Sequence, residues 1–74
     1  MSYDYSKLLG KIVEKYGTQY NFSVAMELSE RTISLKLNGK VRWKDEEIYK
    51  ATKLLNLNVA DIPKYFFKEK VHVS

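Results

Sequence analysis

The stretch Thr18–Lys40, TQYNFSVAMELSERTISLKLNGK, decides how the chain reads. Its first half suits a short helix. Thr18 can cap the start, and Phe22, Ala25 and Met26 make a narrow apolar stripe. The second half suits another helix, with Ser29 as N-cap and Gly39 ending it just after Asn38. Only Glu27-Leu28-Ser29 lies between the two. Leu35 is the odd residue. At about 100° per residue, Ile33 and Leu37 share the inner face while Leu35 falls opposite them, beside Arg31.

The pattern extends in both directions. In DYSKLLGKIVEKYG (Asp4–Gly17), Tyr5, Leu8, Leu9, Ile12 and Tyr16 follow helical spacing, and Gly17 stands where a helix stops. Gly10 weakens that helix by about 1 kcal/mol relative to alanine, a cost that close packing would explain. A fourth helix is expected from about Asp45 to Leu55. Its buried face is Ile48, Ala51, Leu54 and Leu55, and Asp45-Glu46-Glu47 complements the positive end of its dipole. Asn58 can cap a last short helix, VADIPKYFF (Val59–Phe67), after which KEKVHVS (Lys68–Ser74) reads as a short strand or an ordered tail. The expected fold is therefore all-α, about five helices in one domain spanning residues 1–74.

Composition narrows the function classes. The chain has 74 residues, no cysteine and one histidine, His72, so thiolate and imidazole metal sites are excluded. No apolar run approaches the roughly 20 residues of a membrane span, and MSYDYSKLLGK lacks the order of a signal peptide. A cytoplasmic location is the expectation. Nucleophile–histidine–acid sets and phosphate-binding glycine loops are missing, so neither an enzyme nor a cofactor is expected. Asp45-Glu46-Glu47 could be imagined as a metal site, but three consecutive acids opening a helix point in different directions, which favours capping.

The net charge of +4 is concentrated. Between residues 29 and 44 lie Arg31, Lys36, Lys40, Arg42 and Lys44 against Glu30 alone, while the rest of the chain is balanced. A local basic patch favours a polyanion. Short helix, tight turn, short helix is the helix-turn-helix arrangement, whose second helix enters the DNA major groove. On that helix Arg31 and Leu35 form an outward ridge flanked by Thr32, Ser34, Lys36 and Asn38, with Glu30 in the first turn. Arginine can read guanine, and an aliphatic side chain can pack on a thymine methyl. The alternative for Leu35 is an ordinary exposed leucine or a contact to the fourth helix.

Gln19 opening the second helix, Leu28–Ser34 (LSERTIS) across the turn, Leu37–Lys40 (LNGK), Trp43 before an acidic helix start, and Ile62–Phe67 (IPKYFF) together resemble the small Cro-like, lambda-repressor-like proteins of phages. The resemblance spans roughly residues 5–68. It departs at Glu27, where the turn usually has glycine, and at Ser23, where alanine is usual. It implies a sequence-specific repressor of Cro type that binds operator DNA with the helix at about 29–38, its helix-turn-helix core lying at 18–39. Base contacts would fall to Glu30, Arg31, Thr32, Ser34 and Leu35. Phosphate contacts would fall to Thr18, Gln19, Ser29, Lys36, Asn38, Lys40, Arg42 and Lys44. A weak homodimer would form through Tyr65, Phe66, Phe67, Val71 and Val73, with the tail 68–74 pairing as an edge strand; the alternative is a monomer whose tail packs on its own domain. Trp43 reads as core rather than a stacking platform. Two other functions stay open: non-specific nucleic-acid binding by the basic loop, and a protein-interaction module, antirepressor-like, that uses the same helices and the aromatic C-terminus.

Overall fold

A computed structural model describes residues 3–70. Five α-helices follow one another as α1 (Ser6–Tyr16), α2 (Gln19–Met26), α3 (Glu30–Leu37), α4 (Asp45–Leu54) and α5 (Ile62–Phe66). Each start is held by a side chain or a special residue. Asp4 Oδ1 accepts the Ser6 N–H at 2.8 Å, Thr18 Oγ1 accepts that of Asn21 at 3.1 Å, and Ser29 Oγ accepts that of Thr32 at 3.1 Å. These bonds satisfy donors that a helix start would otherwise leave open.

The helix ends are as specific as the starts. After α3, Gly39 takes φ 73°, and the Gly39 and Lys40 N–H groups bond back to Lys36 and Leu35. That is the Schellman arrangement, which needs a left-handed residue just past the end. The same arrangement ends α2, but with Glu27 in the left-handed position at φ 61°: Glu27 and Leu28 donate to Val24 and Ser23. The turn therefore has its regular geometry despite the missing glycine. Lys50, on α4, donates both to the Met26 carbonyl at 3.3 Å and to the Glu27 carboxylate, so α4 clamps the turn from outside. That contact also holds the Glu27 carboxyl below its ordinary pKa. Ser23, the other departure from the family pattern, is buried with its hydroxyl donating to the Tyr20 carbonyl at 2.6 Å.

All five helices converge on one core. Leu8 and Ile12 of α1, Phe22 and Met26 of α2, Ile33 of α3, Ala51 of α4, Leu55 beyond it, and Tyr65 and Phe66 of α5 are buried together with Trp43. Leu37, Ile48 and Leu54 pack half-buried around it. The chain after Asn58 differs from the single expected helix. Asn58 Oδ1 does accept the Ala60 N–H, at 2.9 Å, but the next three residues, Val59–Asp61, form a 3-10 turn before α5 begins at Ile62. Proline lacks an N–H and fits only the first turn of an α-helix, so Pro63 fixes that start.

The C-terminal segment forms a single antiparallel bridge, Tyr3 to Glu69, instead of a strand among the described residues. The adjacent Asp4 N–H donates to the Lys68 carbonyl at 2.6 Å. Residues 71–74, including Val71 and Val73, lie outside the described residues. Gly10 also differs from expectation. A Cβ there would meet nothing within 4 Å, so its place on α1 is not explained by close packing.

One buried ion pair links the second half of the fold. Lys36, at the end of α3, is 2 % exposed. Its Nζ donates to Glu47 Oε1 and to the Arg42 carbonyl, each at 2.8 Å, and lies 6.0 Å from the centre of the Trp43 ring. Glu47 Oε1 also accepts the Lys44 N–H at 2.8 Å, closing the first turn of α4. Burial alone would raise the Glu47 pKa, but the hydrogen bonds from Lys36 and Lys44 and their charges outweigh it and hold the carboxyl below its ordinary value of 4.5.

Two outcomes follow for stability. Gly10→Ala is expected to raise it by about 0.5–1 kcal/mol, read as a higher urea midpoint at unchanged slope. A carboxyl with a lowered native pKa contributes stability above its unfolded pKa that is lost as pH falls through the native one. Urea melts taken from pH 7 downward should therefore show a loss below the ordinary carboxylate range that Glu47→Gln diminishes. An unchanged pH profile in Glu47→Gln would remove the pair from that role.

Candidate interaction surface

The helix-turn-helix brings some of the expected contact residues to the surface and withdraws others. Arg31 and Glu30 are exposed on α3, and with Gln19 and Ser34 they border a shallow depression between α2 and α3. Leu35 is half-buried rather than projecting. Thr32 Oγ1 accepts from Ser29 Oγ at 2.8 Å, so both hydroxyls serve the start of α3. The Asn38 amide donates to the Ser34 carbonyl at 2.8 Å, and Thr18 is taken up in capping α2. Lys36, expected at a phosphate, is inside the protein. Lys40, Arg42 and Lys44 are exposed along the loop between α3 and α4.

Lys36 decides how that loop is presented. Its bond to the Arg42 carbonyl fixes the loop backbone one residue before Trp43 and three before the start of α4. Trp43 then turns inward while Arg42 remains outside. The indole of Trp43 is buried with its Nε1 lacking a hydrogen-bond partner in the protein. A buried donor left unsatisfied costs roughly 1–3 kcal/mol, which the packing of this large ring offsets.

Beside the loop runs a feature that the sequence pattern had only partly shown. Five aromatic rings touch in series. Phe67 meets Tyr3 at 5.7 Å and 89°, Tyr3 meets Tyr5 at 6.4 Å and 70°, Tyr5 meets Trp43 at 6.4 Å, and Trp43 meets Phe66 at 5.3 Å and 82°. Edge-to-face contacts at these distances are the favourable arrangement for aromatic pairs. Of the cluster expected to mediate dimerisation, Tyr65 and Phe66 are buried in the core, whereas Phe67 is 47 % exposed. Phe67, Tyr3 and Tyr5 line a groove with Val41 and Arg42 of the loop and Ile48 of α4. Burial raises the Tyr5 pKa above its ordinary value of 10.0. Spacing gave Tyr5 as part of the α1 face but left Tyr3 unassigned. The bridge to Glu69 that brings Tyr3 to Phe67 joins residues too distant in sequence for periodicity to reveal.

Among the described residues, no helix is long and apolar enough to cross a membrane. No curated protein matches the chain. A solved structure does. The solution structure of the modulator of repression (MOR) of the temperate bacteriophage TP901-1 from Lactococcus lactis is 74% identical, covers 97% of each chain and superposes with a TM-score of 0.80. This corrects the reading as a Cro-like or lambda-repressor-like protein. The shared motifs specify a helix-turn-helix fold, and the fold does not by itself make a repressor. The expectation of a sequence-specific repressor with operator DNA as its partner falls with it, and the two-fold dimer that rested on the same resemblance loses its support. The family model that matches is described as "Protein of unknown function (DUF739)" and spans residues 1–69, so the chain belongs to that family.

Proposed function

We propose that this protein modulates repression by contacting a protein of the repression machinery, as an antirepressor-like regulator of a phage. The observation that carries this reading is the 74% identity, across 97% of both chains, to a phage modulator of repression. Side chains on α3 and at its end support it: Thr32 and Asn38 hydrogen-bond within the protein and Lys36 is buried, so fewer of the groups expected at DNA are free for it. The exposed aromatic groove and the basic loop beside it supply a surface of protein-binding character, in which aromatic residues and arginine are over-represented. The protein has no catalytic role in this reading, and it works in the cytoplasm of the bacterial host, where repressor and operator meet.

The test is an operator-binding assay with the repressor of the same phage, using labelled duplex and reading anisotropy. Added protein is expected to weaken the repressor's apparent operator affinity by at least about fivefold, the lower range of coupling between linked sites, while not binding the duplex when alone. If the protein alone binds the duplex at the same concentration, or if repressor affinity does not change, the reading fails.

A further inference from the structure

The groove beside the α3–α4 loop has a composition that specifies what it can hold. Its floor is apolar and aromatic, from Tyr3, Tyr5, Trp43, Ile48 and Phe67. Its rim is basic. Arg42 borders it directly, Lys40 and Lys44 flank Arg42 along the loop, and Lys70 borders the adjoining depression shared with Tyr3 and Tyr5. The nearby acid Asp4 is already engaged, its carboxylate accepting the Ser6 N–H and lying 3.9 Å from Lys68 Nζ. Hydrogen bonding from Ser6 holds that carboxyl below its ordinary pKa, with the charges of Lys68 and Lys70 adding to the effect. Exposed acids also stand nearby, Asp45 and Glu46 after Lys44 and Glu69 opposite Tyr3, but the charge bordering the floor itself is Arg42, and a positive group beside an apolar floor complements an apolar side chain flanked by carboxylates.

We propose that the groove bounded by Arg42, Val41, Tyr3 and Phe67 captures an acidic protein segment, seating one apolar or aromatic side chain against the rings and its flanking carboxylates against Arg42 and its lysine neighbours. The proposal rests on the protein-contact reading above and gives that contact its chemistry. Two features of the site favour an acidic protein segment over nucleic acid. Three of the four ring contacts are edge to face, at 70°, 82° and 89°, and the fourth, Tyr5 to Trp43, is tilted at 56°, so the rings do not form the open stack of faces on which successive bases lie. In addition, the lysine nearest the indole, Lys36, is committed to Glu47 and to the Arg42 carbonyl and is closed to a phosphate. Its role is that of a positioning residue, which holds the backbone from which the Arg42 side chain leaves.

The full chain itself provides the readout. Trp43 is the only tryptophan, so the ¹H–¹⁵N spectrum carries a single indole resonance, and it comes from the groove. The probe is a short synthetic peptide with one phenylalanine between glutamates, titrated to about 1 mM, an affinity of roughly 4 kcal/mol. Saturable shifts are expected at the Trp43 indole and at the Val41 and Phe67 amides. Raising salt from about 0.1 M to about 1 M shortens the screening length from about 10 Å to about 3 Å and should weaken binding at least about tenfold. Arg42→Glu should lose the peptide, whereas Lys53→Glu, the same charge change on the exposed face of α4, should keep it.

The proposal is overturned if the peptide causes no shift, or if versions with lysine for glutamate or alanine for phenylalanine bind equally well. It is also overturned if Arg42→Glu and Lys53→Glu lose binding alike, or if a short DNA duplex at the same concentration produces the larger shifts. The two readings fail separately. Peptide binding without any effect on the repressor sinks the function and leaves the groove chemistry. A full effect on the repressor from Arg42→Glu sinks the groove chemistry and leaves the function.

Discussion

The structure around the α3–α4 loop depends on one ammonium group taken out of water. Lys36 is enclosed on all sides, and desolvating such an ion costs several kcal/mol unless its surroundings replace the water. Glu47 provides the opposite charge, the Arg42 carbonyl a second acceptor and the Trp43 ring a polarisable wall. The partners come from two pieces of chain, Glu47 from the first turn of α4, and Arg42 and Trp43 from the loop before it. Satisfying this one cation therefore sets the end of α3, the path of the loop and the first turn of α4 together. Removing either charge would strand the other in the interior, a change that typically costs about 3–5 kcal/mol.

Much of the helical frame was legible in the sequence because short-range rules govern it. Thr18, Ser29 and Asn58 could be assigned as caps from their residue type and place, and Gly17 and Gly39 as helix ends, since each acts within four residues of itself. Ile33 and Leu37 were placed on the inner face of α3 by spacing alone. Lys36 was misread because helical periodicity put it on a flank with Thr32, and nothing local signals that Glu47 lies eleven residues away to receive it. Glu27 shows the opposite limit. Its left-handed conformation has a strain of roughly 1 kcal/mol, and the Lys50 clamp that accompanies it sits 23 residues further on.

The function was harder to read than the fold for a related reason. A helix-turn-helix is a packing solution for two short helices, and it presents an exposed second helix whatever that helix touches. How the polar side chains of α3 and its flanks are spent is likewise not legible in that arrangement. Ser29 and Thr32 bond to each other, Asn38 bonds to Ser34, and Lys36 is interior. Such assignments depend on rotamers and on neighbours across the fold, neither of which residue type discloses. The groove was hidden likewise, since Tyr3 and Phe67 come together only through the bridge between the two ends of the described chain.

That meeting of the ends has a practical side. Tyr3 pairs with Glu69 and Asp4 with Lys68, so the two ends of the described chain come together beside Phe67. A tag or fusion partner joined close to residue 3 or to residue 70 would thus start from the same neighbourhood, beside the groove. The exposed turn between α4 and α5, around Asn56 and Asn58, offers a place to carry a label, and joining the two ends by a short linker would leave that turn as the natural point at which to open a permuted chain.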